Sequence, residues 1–252
     1  MLSKNDIKNI KSLEQKKFRT EKGLFIAQGH KLVGELLGKF ECVLLAATSE
    51  WIESRRSIPA ARVETVTPDE LRRASLQQAP QDVLAVFRIP ADSTQLSTAA
   101  ASNLVLALDD VQDPGNLGTI VRIADWFGIR HIFCSKGTAD IYNPKAIQAT
   151  MGAIARVSVH YTDLGRSLAS LARTIPVYGT FLEGEIIYDT ALTDYGVIVM
   201  GNEGNGIGAE VAGYVNRKLF IPNWPAGAKT SESLNVAIAT AVTCSEFRRR
   251  SR

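Results

Sequence analysis

Polar side chains that could hold a ligand or stabilise charge occur in three separate stretches of this 252-residue chain. In the first stretch, DDVQDPGNLGTIVRIADWFGI (109–129), a Pro-Gly turn precedes a predicted helix that carries Arg122. Asn116 can cap this helix near Leu117, and the flanking glycines let the backbone approach a ligand closely. A guanidinium keeps its proton at neutral pH, so it supplies a fixed positive charge. The plain alternative is a solvated arginine that pairs with Asp125 one turn later.

The second stretch, GVIVMGNEGNGIGAEV, has the pattern of a buried strand followed by a glycine-rich loop that contains Glu203. Such loops often bind nucleotides, but a dinucleotide fold requires a full helix next and an acidic residue about 20 residues later. Here the next strand candidate, KLFIPN, follows after a short crossover. This spacing disfavours a nucleotide-dependent oxidoreductase, and a flexible turn is the plain alternative.

The third stretch is IPNWPAGAKTSESLNVAIATAVTCSEF. Its AGAKTS segment lacks the G-x-x-x-x-G-K-[ST] spacing of a phosphate loop, so ATP or GTP hydrolysis by such a loop is excluded. A helix is predicted over 234–247. Ala237 and Ala241 lie on its successive turns, where small side chains let another helix approach closely. This face therefore either packs within the chain or forms a dimer interface.

The composition, 45% hydrophobic and 22% charged, is typical of a globular protein with one large or two modest domains. No apolar run is long enough to cross a membrane, and the N-terminal sequence is charged where a signal peptide is apolar, so we expect a cytoplasmic protein. Cysteines and histidines are scattered, which argues against a disulfide framework and against a metal site. These residues are Cys42, Cys134, Cys244, His30, His131 and His160.

The formal net charge of +3 is small, but its distribution along the chain is uneven. Within the first 23 residues, seven Lys or Arg stand against three acidic residues, and the sequence closes with EFRRRSR. Basic ends of this kind either bind phosphate groups or provide solvated surface charge. Composition alone leaves both interpretations open.

Strand and helix patterns alternate along the chain. Residues 6–19 have the spacing of an amphipathic helix, and a small α/β unit follows that ends near Ile89. The segment PADSTQLSTAAAS is rich in Ser, Thr and Ala and is predicted to be a linker. From NLVLALDDV onward, apolar strands alternate with helices, which predicts an open, mostly parallel sheet with helices on both faces. Ligands of such sheets bind beyond the carboxyl ends of the strands, so function should be sought in the loops there.

Together, the three stretches resemble the signature motifs of the SpoU/TrmH family of RNA ribose 2′-O-methyltransferases, within the SPOUT superfamily. The motif residues are DPGNLGTIVRIA, GNEGNGI and IPNWPAGAKTSESLNVAIA, in the family's order. The resemblance covers Asn103 to Phe247 and implies a SPOUT catalytic domain over 103–252, with a mostly parallel sheet and a C-terminal trefoil knot. GLFIAQGHKLVGELL and QDVLAVF resemble the small L30e-like α/β domain that binds RNA in many members. That domain would span 1–90, with a linker at 91–102.

The resemblance also implies the reaction and its participants. S-adenosylmethionine would be the methyl donor, structured RNA (tRNA or rRNA) the substrate, and the active site would be completed across a homodimer without a metal. Arg122 would lie at the ribose 2′-hydroxyl, either as the general base or as a group that positions the hydroxyl and stabilises charge. Asn116 would orient it, and Glu203 would organise the arginine and the second loop. Ser233 and Asn235 would line the pocket where the last helix begins, although Asn116 and Ser233 could also serve simply as helix caps. The residues implied to contact the cofactor are Thr180, Gly201, Ile221 and Leu234.

Two positions depart from the family's usual pattern. Gln28 stands where a glutamate is usual, and NWPAGAKTSE makes the third-motif loop longer, which bears on substrate contacts rather than on methyl transfer. The alternative function is a non-catalytic RNA-binding module that retains the knotted fold and acts in ribosome assembly. The intact set of Asn116, Arg122, Glu203 and Asn235 favours the enzyme.

Overall fold

A computed structural model describes residues 1–91, 93–171, 173–225, 231 and 233–250 of the chain. The chain divides into two compact units. The first unit consists of Met1–Ala91 and Asp140–Ala155, and the second of Asp92–Ala139 and Arg156–Arg252. Within the described residues, no helix is both long and apolar enough to cross a membrane.

Strands and helices alternate along most of the described chain. In chain order, the strands β1 to β11 span Leu24–Gln28, Cys42–Ala47, Val63–Thr65, Val83–Arg88, Leu104–Leu108, His131–Cys134, Ser158–Tyr161, Val177–Phe181, Glu185–Ile186, Gly196–Met200 and Arg217–Phe220. The helices α1 to α11 span Lys4–Ser12, Lys16–Lys22, His30–Leu36, Ser49–Glu53, Pro68–Ala74, Leu96–Ala100, Pro114–Trp126, Pro144–Thr150, Leu164–Ala169, Ala209–Ala212 and Val236–Arg250.

The first unit is built on a four-stranded sheet with the order β1-β4-β2-β3. β4 runs antiparallel to both of its neighbours, and β3 is parallel to β2. α1 buries Ile10 in a cluster with Ile26, Leu44 and Val86 of the sheet. Removing these apolar side chains from water is the main force that holds the helix on the sheet.

The N-terminal helical region contains two helices rather than the single helix predicted over 6–19. α1 ends at Ser12 and α2 begins at Lys16. The turn between them is held by Arg19, whose Nη1 donates to the carbonyl oxygens of Leu13 (2.8 Å) and Glu14 (2.7 Å). Because the guanidinium satisfies carbonyl groups that a continuous helix would bond internally, the chain can turn there.

Residues 140–155 pack within the first unit, although the sequence analysis assigned them to the domain over 103–252. α8 lies against β1, and the rings of Tyr142 and Phe25 have their centroids 5.0 Å apart. Asp140 Oδ2 accepts hydrogen bonds from Arg19 Nε (3.0 Å) and Nη2 (2.6 Å). Arg19, buried to 2% exposure, therefore joins this segment to the turn between α1 and α2.

Gln28 fills an acceptor position at the end of β1. Its Oε1 accepts from the Ser75 hydroxyl at 2.7 Å and from the Leu76 amide at 3.0 Å. Both bonds need only an acceptor oxygen, which an amide supplies as well as the glutamate usual in the family. The departure from the family pattern thus leaves this local structure satisfied.

The second unit contains a seven-stranded sheet with the order β7-β6-β5-β10-β8-β11-β9 among the described residues. Every pairing in it is parallel, which confirms the predicted mostly parallel sheet. β5 and β10 are buried along their whole length, as strands covered on both faces must be. Part of the segment predicted as a linker forms α6, whose Leu96, Ala99 and Ala100 are buried in the core of this unit.

Candidate functional site

The three stretches singled out in the sequence meet at the carboxyl edge of the second unit's sheet. β5, β10, β8 and β11 are neighbours and run parallel, so the loops that follow them leave the sheet at one edge. The loop after β5 leads to Asn116, and the loop after β10 contains Gly201 and Glu203. Thr180 lies in the last part of β8, and Ile221 follows β11 directly.

The helix after β5 begins earlier than predicted. α7 starts at Pro114, and its cap is Asp113. The Oδ1 atom of Asp113 accepts from the backbone amide of Asn116 at 2.9 Å. The prediction that Asn116 caps the helix near Leu117 is therefore wrong. Asp113 caps the helix because it directly precedes a proline, and the fixed backbone angle of proline favours the first helical position. The side chain of Asn116 is consequently free to bind elsewhere.

A hydrogen-bonded network joins one residue from each of the three stretches. Asn116 Nδ2 donates to Glu203 Oε1 at 2.7 Å, and Asn235 Nδ2 donates to Asn116 Oδ1 at 3.1 Å. The short distance to the carboxylate is typical of a charge-assisted bond. Three of the residues predicted for the site, Asn116, Glu203 and Asn235, thus lie together.

The last helix is capped by the third member of this network. Asn235 Oδ1 accepts from the amides of Ala237 (2.9 Å) and Ile238 (3.3 Å), and α11 begins at Val236 rather than at Leu234. Asn235, not Ser233, is therefore the cap of this helix. Ser233 is exposed and makes no hydrogen bond with another described residue.

The glycine-rich second loop is fixed by two residues that the sequence analysis did not identify. Asp109, which directly follows β5, accepts from the Gly208 amide at 2.8 Å. Asn202 donates to the Asp110 carbonyl at 2.8 Å, and its Oδ1 accepts from the Gly204 amide at 2.8 Å. An asparagine side chain often accepts from the backbone amide two residues on, as Asn202 does from Gly204, and that turn signal could have found it. These bonds hold the loop that carries Glu203.

Arg122 extends into solvent from α7 and makes no hydrogen bond or ion pair with any described residue. The plain alternative, a pair with Asp125, is not formed. Asp125 instead accepts from Arg156 Nε at 3.0 Å and pairs with Arg156 Nη2 at 2.9 Å. Glu203 likewise makes no hydrogen bond or ion pair with Arg122, and its Oε1 accepts from Asn116. The guanidinium of Arg122 is left available for a ligand.

The residues implied for cofactor binding suit a donor that carries a positive sulfonium. Thr180 Oγ1 lies 3.7 Å from Met200 Sδ, next to Gly201. A Cβ atom at Gly201 would overlap the backbone of Gly206, so only glycine allows this close passage of the chain. Ile221 is half-buried, and Leu234 is 48% exposed. This edge offers backbone groups, a hydroxyl and apolar surface, and its carboxylate at Glu203 already has a partner.

Other chemistries find less support in the described residues. No group of three or more His, Cys, Asp or Glu among them could hold a metal ion. Burial raises the pKa of the Cys42 thiol to about 11 and that of Cys244 to about 12, and raises that of Cys134 further. These thiols are protonated at neutral pH and are poor nucleophiles.

Residues 226–230 and 232, in the long third-motif loop, lie outside the described residues.

Comparison with known families assigns both halves of the chain. Residues 103–245 match the model of the SpoU rRNA Methylase family. Residues 4–85 match the model of the MRM3-like substrate binding domain. The first match spans the network, Arg122 and the parallel sheet.

Full-length similarity extends to a bacterial enzyme and to solved structures. The chain is 31% identical over 247 residues to the 23S rRNA (guanosine(2553)-2′-O)-methyltransferase RlmP of Bacillus subtilis (strain 168), covering 94% of this chain and 93% of that protein. A TrmH-family protein from Porphyromonas gingivalis has a similar structure, with 43% identity, a TM-score of 0.91 and 99% coverage of both chains. An AdoMet-bound rRNA methyltransferase from Sinorhizobium meliloti has 28% identity and a TM-score of 0.84, with 99% of this chain and 96% of that chain covered.

Proposed function

Because the chain belongs to the SpoU rRNA methylase family, we propose that it transfers a methyl group from S-adenosylmethionine to a ribose 2′-hydroxyl of 23S ribosomal RNA. RNA ribose 2′-O-methylation with this donor is the activity of the chain. Ribosomal rather than transfer RNA is favoured because the full-length relative from Bacillus subtilis is named for 23S rRNA. The observation that carries the proposal is the network of Asn116, Glu203 and Asn235 together with Arg122, which lies on the same helix as Asn116 and has no partner among the described residues.

The reaction makes clear demands on the protein. A ribose hydroxyl is a weak nucleophile at neutral pH, so it must be held in line with the methyl group in a site that excludes water. S-adenosylmethionine, when bound, supplies an electrophilic methyl group on a sulfonium. That positive charge disappears as the methyl group moves, so a carboxylate held against the sulfur would stabilise the starting state and slow the reaction. Thr180, Gly201, Ile221 and Leu234 are the residues we assign to holding the donor.

Arg122 is assigned to the 2′-oxygen. A guanidinium keeps its proton, so its natural role is to hold the oxygen and stabilise the negative charge that develops on it. The exposed side chain can reach a substrate without first breaking a bond within the described part of the protein. Its charge therefore needs no release from an internal partner before the substrate binds.

The network is assigned a positioning role. Asn116 binds Glu203 with its amide group and Asn235 with its carbonyl oxygen, so neither end of the side chain can rotate freely. The bond to Asn116 also holds the Glu203 carboxylate in a defined place. Such fixed polar groups reduce the reorganisation that the reaction would otherwise require. Ser233, which is exposed near this network, is assigned to the substrate side.

We further propose that the active site is completed in a homodimer. α11 packs along α7, and this pair of helices exposes apolar side chains, with Trp126 85% and Ile238 55% exposed. Exposed apolar surface next to a site supports an interface between copies of the chain.

The trefoil knot, the L30e-like nature of the first unit and a cytoplasmic location are parts of the same proposal. The match of residues 103–245 to the SpoU rRNA Methylase family supports the knot.

The alternative is an RNA-binding module without catalysis. It predicts that purified protein binds 23S rRNA but does not bind S-adenosylmethionine. Calorimetric titration with the donor separates the two functions, because the enzyme requires that binding and the module does not.

The deciding experiment maps ribose methylation across total RNA from cells with and without the gene. We expect one 23S rRNA site to lose its methyl group in the deletion strain and to regain it when the wild-type gene is restored. A methylation map that does not change on deletion overturns the proposal. A site lost from tRNA instead would keep the activity and replace the substrate.

A further inference from the structure

The first unit contains a cavity of about 300 Å³ that has no role in the network described above. It lies between α1, α2 and the strands β1, β2 and β4. Its lining residues are Asp6, Asn9, Ile10, Leu13, Lys22, Leu24, Val43, Leu44, Arg62 and Val86. A volume of this size is at the lower end of the range for small-ligand sites.

The inner surface of the cavity is apolar. Ile10, Leu13, Leu44 and Val86 are buried, and Val43 is half-buried. None of these side chains carries a hydrogen-bonding group. A flat or aliphatic group could therefore enter and displace water from apolar surface at little cost.

The rim of the cavity is polar and carries a positive charge. Lys22 Nζ donates to Asn9 Oδ1 at 2.9 Å and to Ser12 Oγ at 3.0 Å. An ammonium has three N–H donors, so one remains for a ligand. Arg62, by contrast, is already paired with Asp6 (2.9 Å) and Glu64 (2.9 Å). The Asn9 amide group has no acceptor among the described residues.

Five exposed lysines lie on α1 and α2 outside the lining of the cavity. Lys4, Lys8 and Lys11 are spaced by four and three residues, so they share one face of α1, on the other side of the helix from Asp6 and Asn9. Lys16 and Lys17 are exposed at the start of α2. No described residue forms an ion pair with any of the five. This lysine face is a surface suited to a polyanion.

We propose that the cavity binds one unstacked nucleobase of the RNA substrate, with a neighbouring phosphate on Lys22. The inference rests on the proposed function, and it adds an anchoring site in the first unit. A nucleobase matches both parts of the cavity, because its faces are apolar and its edge carries donors and acceptors that Asn9 and Lys22 can bind. The charge of Lys22 at the rim, with one donor left over, favours the phosphate of a nucleic acid over an apolar peptide or a lipid tail.

The first test fills the cavity. Val43→Phe places a ring in the space intended for the base and removes no charge. We expect the KM for 23S rRNA from cells lacking the gene to rise about tenfold with kcat unchanged. Val63→Phe is the matched control, since Val63 is 40% exposed on β3 and does not line the cavity. Equal KM values for the wild type and the folded Val43→Phe variant would overturn the inference.

The second test removes the charge at the rim. A plot of log affinity for RNA against log salt concentration falls with a negative slope. For Lys22→Met we expect this slope to be shallower by about one, because one phosphate contact is lost. Lys39→Met is the control, since Lys39 is an exposed lysine of the same unit outside the lining of the cavity. A slope for Lys22→Met equal to that of the wild type contradicts the phosphate contact.

A third measurement uses the wild-type protein and does not depend on variant folding. The methyl resonances of Leu24, Val43 and Val86 are followed by NMR during titration with each of the four nucleoside 5′-monophosphates. We expect at least one nucleotide to shift all three, and inorganic phosphate to shift none of them. Shifts that arise from raising the protein concentration alone would assign the cavity to a second copy of the chain and overturn the inference.

These outcomes separate the inference from the function on which it rests. If the wild type incorporates no methyl group into 23S rRNA, the proposed function fails. If the wild type is active while the cavity and rim variants match it in KM and salt dependence, only the nucleobase site fails.

Discussion

Two helical arginines of this molecule, one in each unit, differ in burial and in hydrogen bonding. Arg19, on α2, is 2% exposed and donates to Asp140 Oδ2 and to the carbonyl oxygens of Leu13 and Glu14. Arg122, on α7, extends into solvent with no partner among the described residues. The same side chain is thus a structural crosslink in the first unit and an open charge in the second.

The difference shows how to separate structural from functional charge. A buried guanidinium must have its donors satisfied within the fold, because an unpaired buried charge is very costly. An exposed guanidinium has no such requirement, and most of them do nothing specific. Arg122 is distinguished by its position on the helix that carries Asn116, which binds Glu203 and Asn235. An open charge beside an ordered polar network is suited to meeting a substrate.

The largest effect on stability is expected at the buried arginine. Arg19→Met removes the partner of Asp140 and of the two carbonyl groups, so we expect the free energy of unfolding to fall by about 3–5 kcal/mol. Urea denaturation measures this change. Arg19→Lys should recover only part of the loss, because an ammonium cannot reproduce the planar set of bonds. A loss below about 1 kcal/mol, the range of exposed pairs, would remove the contrast between the two arginines.

The open arginine should affect activity instead. For Arg122→Ala we expect kcat for methyl transfer to fall by about 10²- to 10³-fold, as for loss of one oxyanion donor. The free energy of unfolding should change by no more than about 0.5 kcal/mol. Arg166→Ala is the control, because Arg166 is an exposed arginine on α9 outside the network. Unchanged turnover in Arg122→Ala would remove this residue from the mechanism.

Two variants of Glu203 separate the effect of its negative charge from the effect of its hydrogen bond to Asn116. Glu203→Ala leaves the Asn116 amide without its acceptor, and we expect kcat to fall by at least about tenfold, the value of one charge-assisted hydrogen bond. Glu203→Gln keeps an acceptor oxygen and should recover part of the rate if positioning is the role of Glu203. The cofactor dissociation constant is measured beside kcat. A Gln variant as slow as the Ala variant would assign the role to the negative charge.

A third arginine gives the smallest effect. The Arg62 guanidinium, with a smaller contribution from the Ser3 hydroxyl, holds the pKa of the Asp6 carboxyl well below its usual range. A carboxyl with a lowered pKa stabilises the folded state above its unfolded pKa, and this stability is lost as pH falls through the folded value. Because Arg62 is 45% exposed, we expect less than about 1 kcal/mol. Urea denaturation of the wild type and Arg62→Met should therefore converge as pH is lowered from 6 towards 2.

Periodicity and turn residues predicted the strands well and the helix boundaries less well. The parallel sheet follows from long apolar runs such as β5 and β10, which only strands covered on both faces require. The first residue of α7 was missed because Asp113 and Asn116 are both good caps, and local sequence does not decide between them. The break between α1 and α2 was missed because its cause, the bonds made by Arg19, depends on folding of the turn.

The sequence by itself determined the alternation of strands and helices, the glycine turns after β10 and the three motifs of the family, because these depend on residues near one another in the chain. The tertiary structure decided which groups meet. Asn116 is hydrogen-bonded to Glu203 and Asn235. Asp125 forms its ion pair with Arg156 rather than with Arg122, and residues 140–155 belong to the first unit. Partners of this kind are far apart in sequence, and they are selected by sheet order and by the requirement that buried polar groups be satisfied.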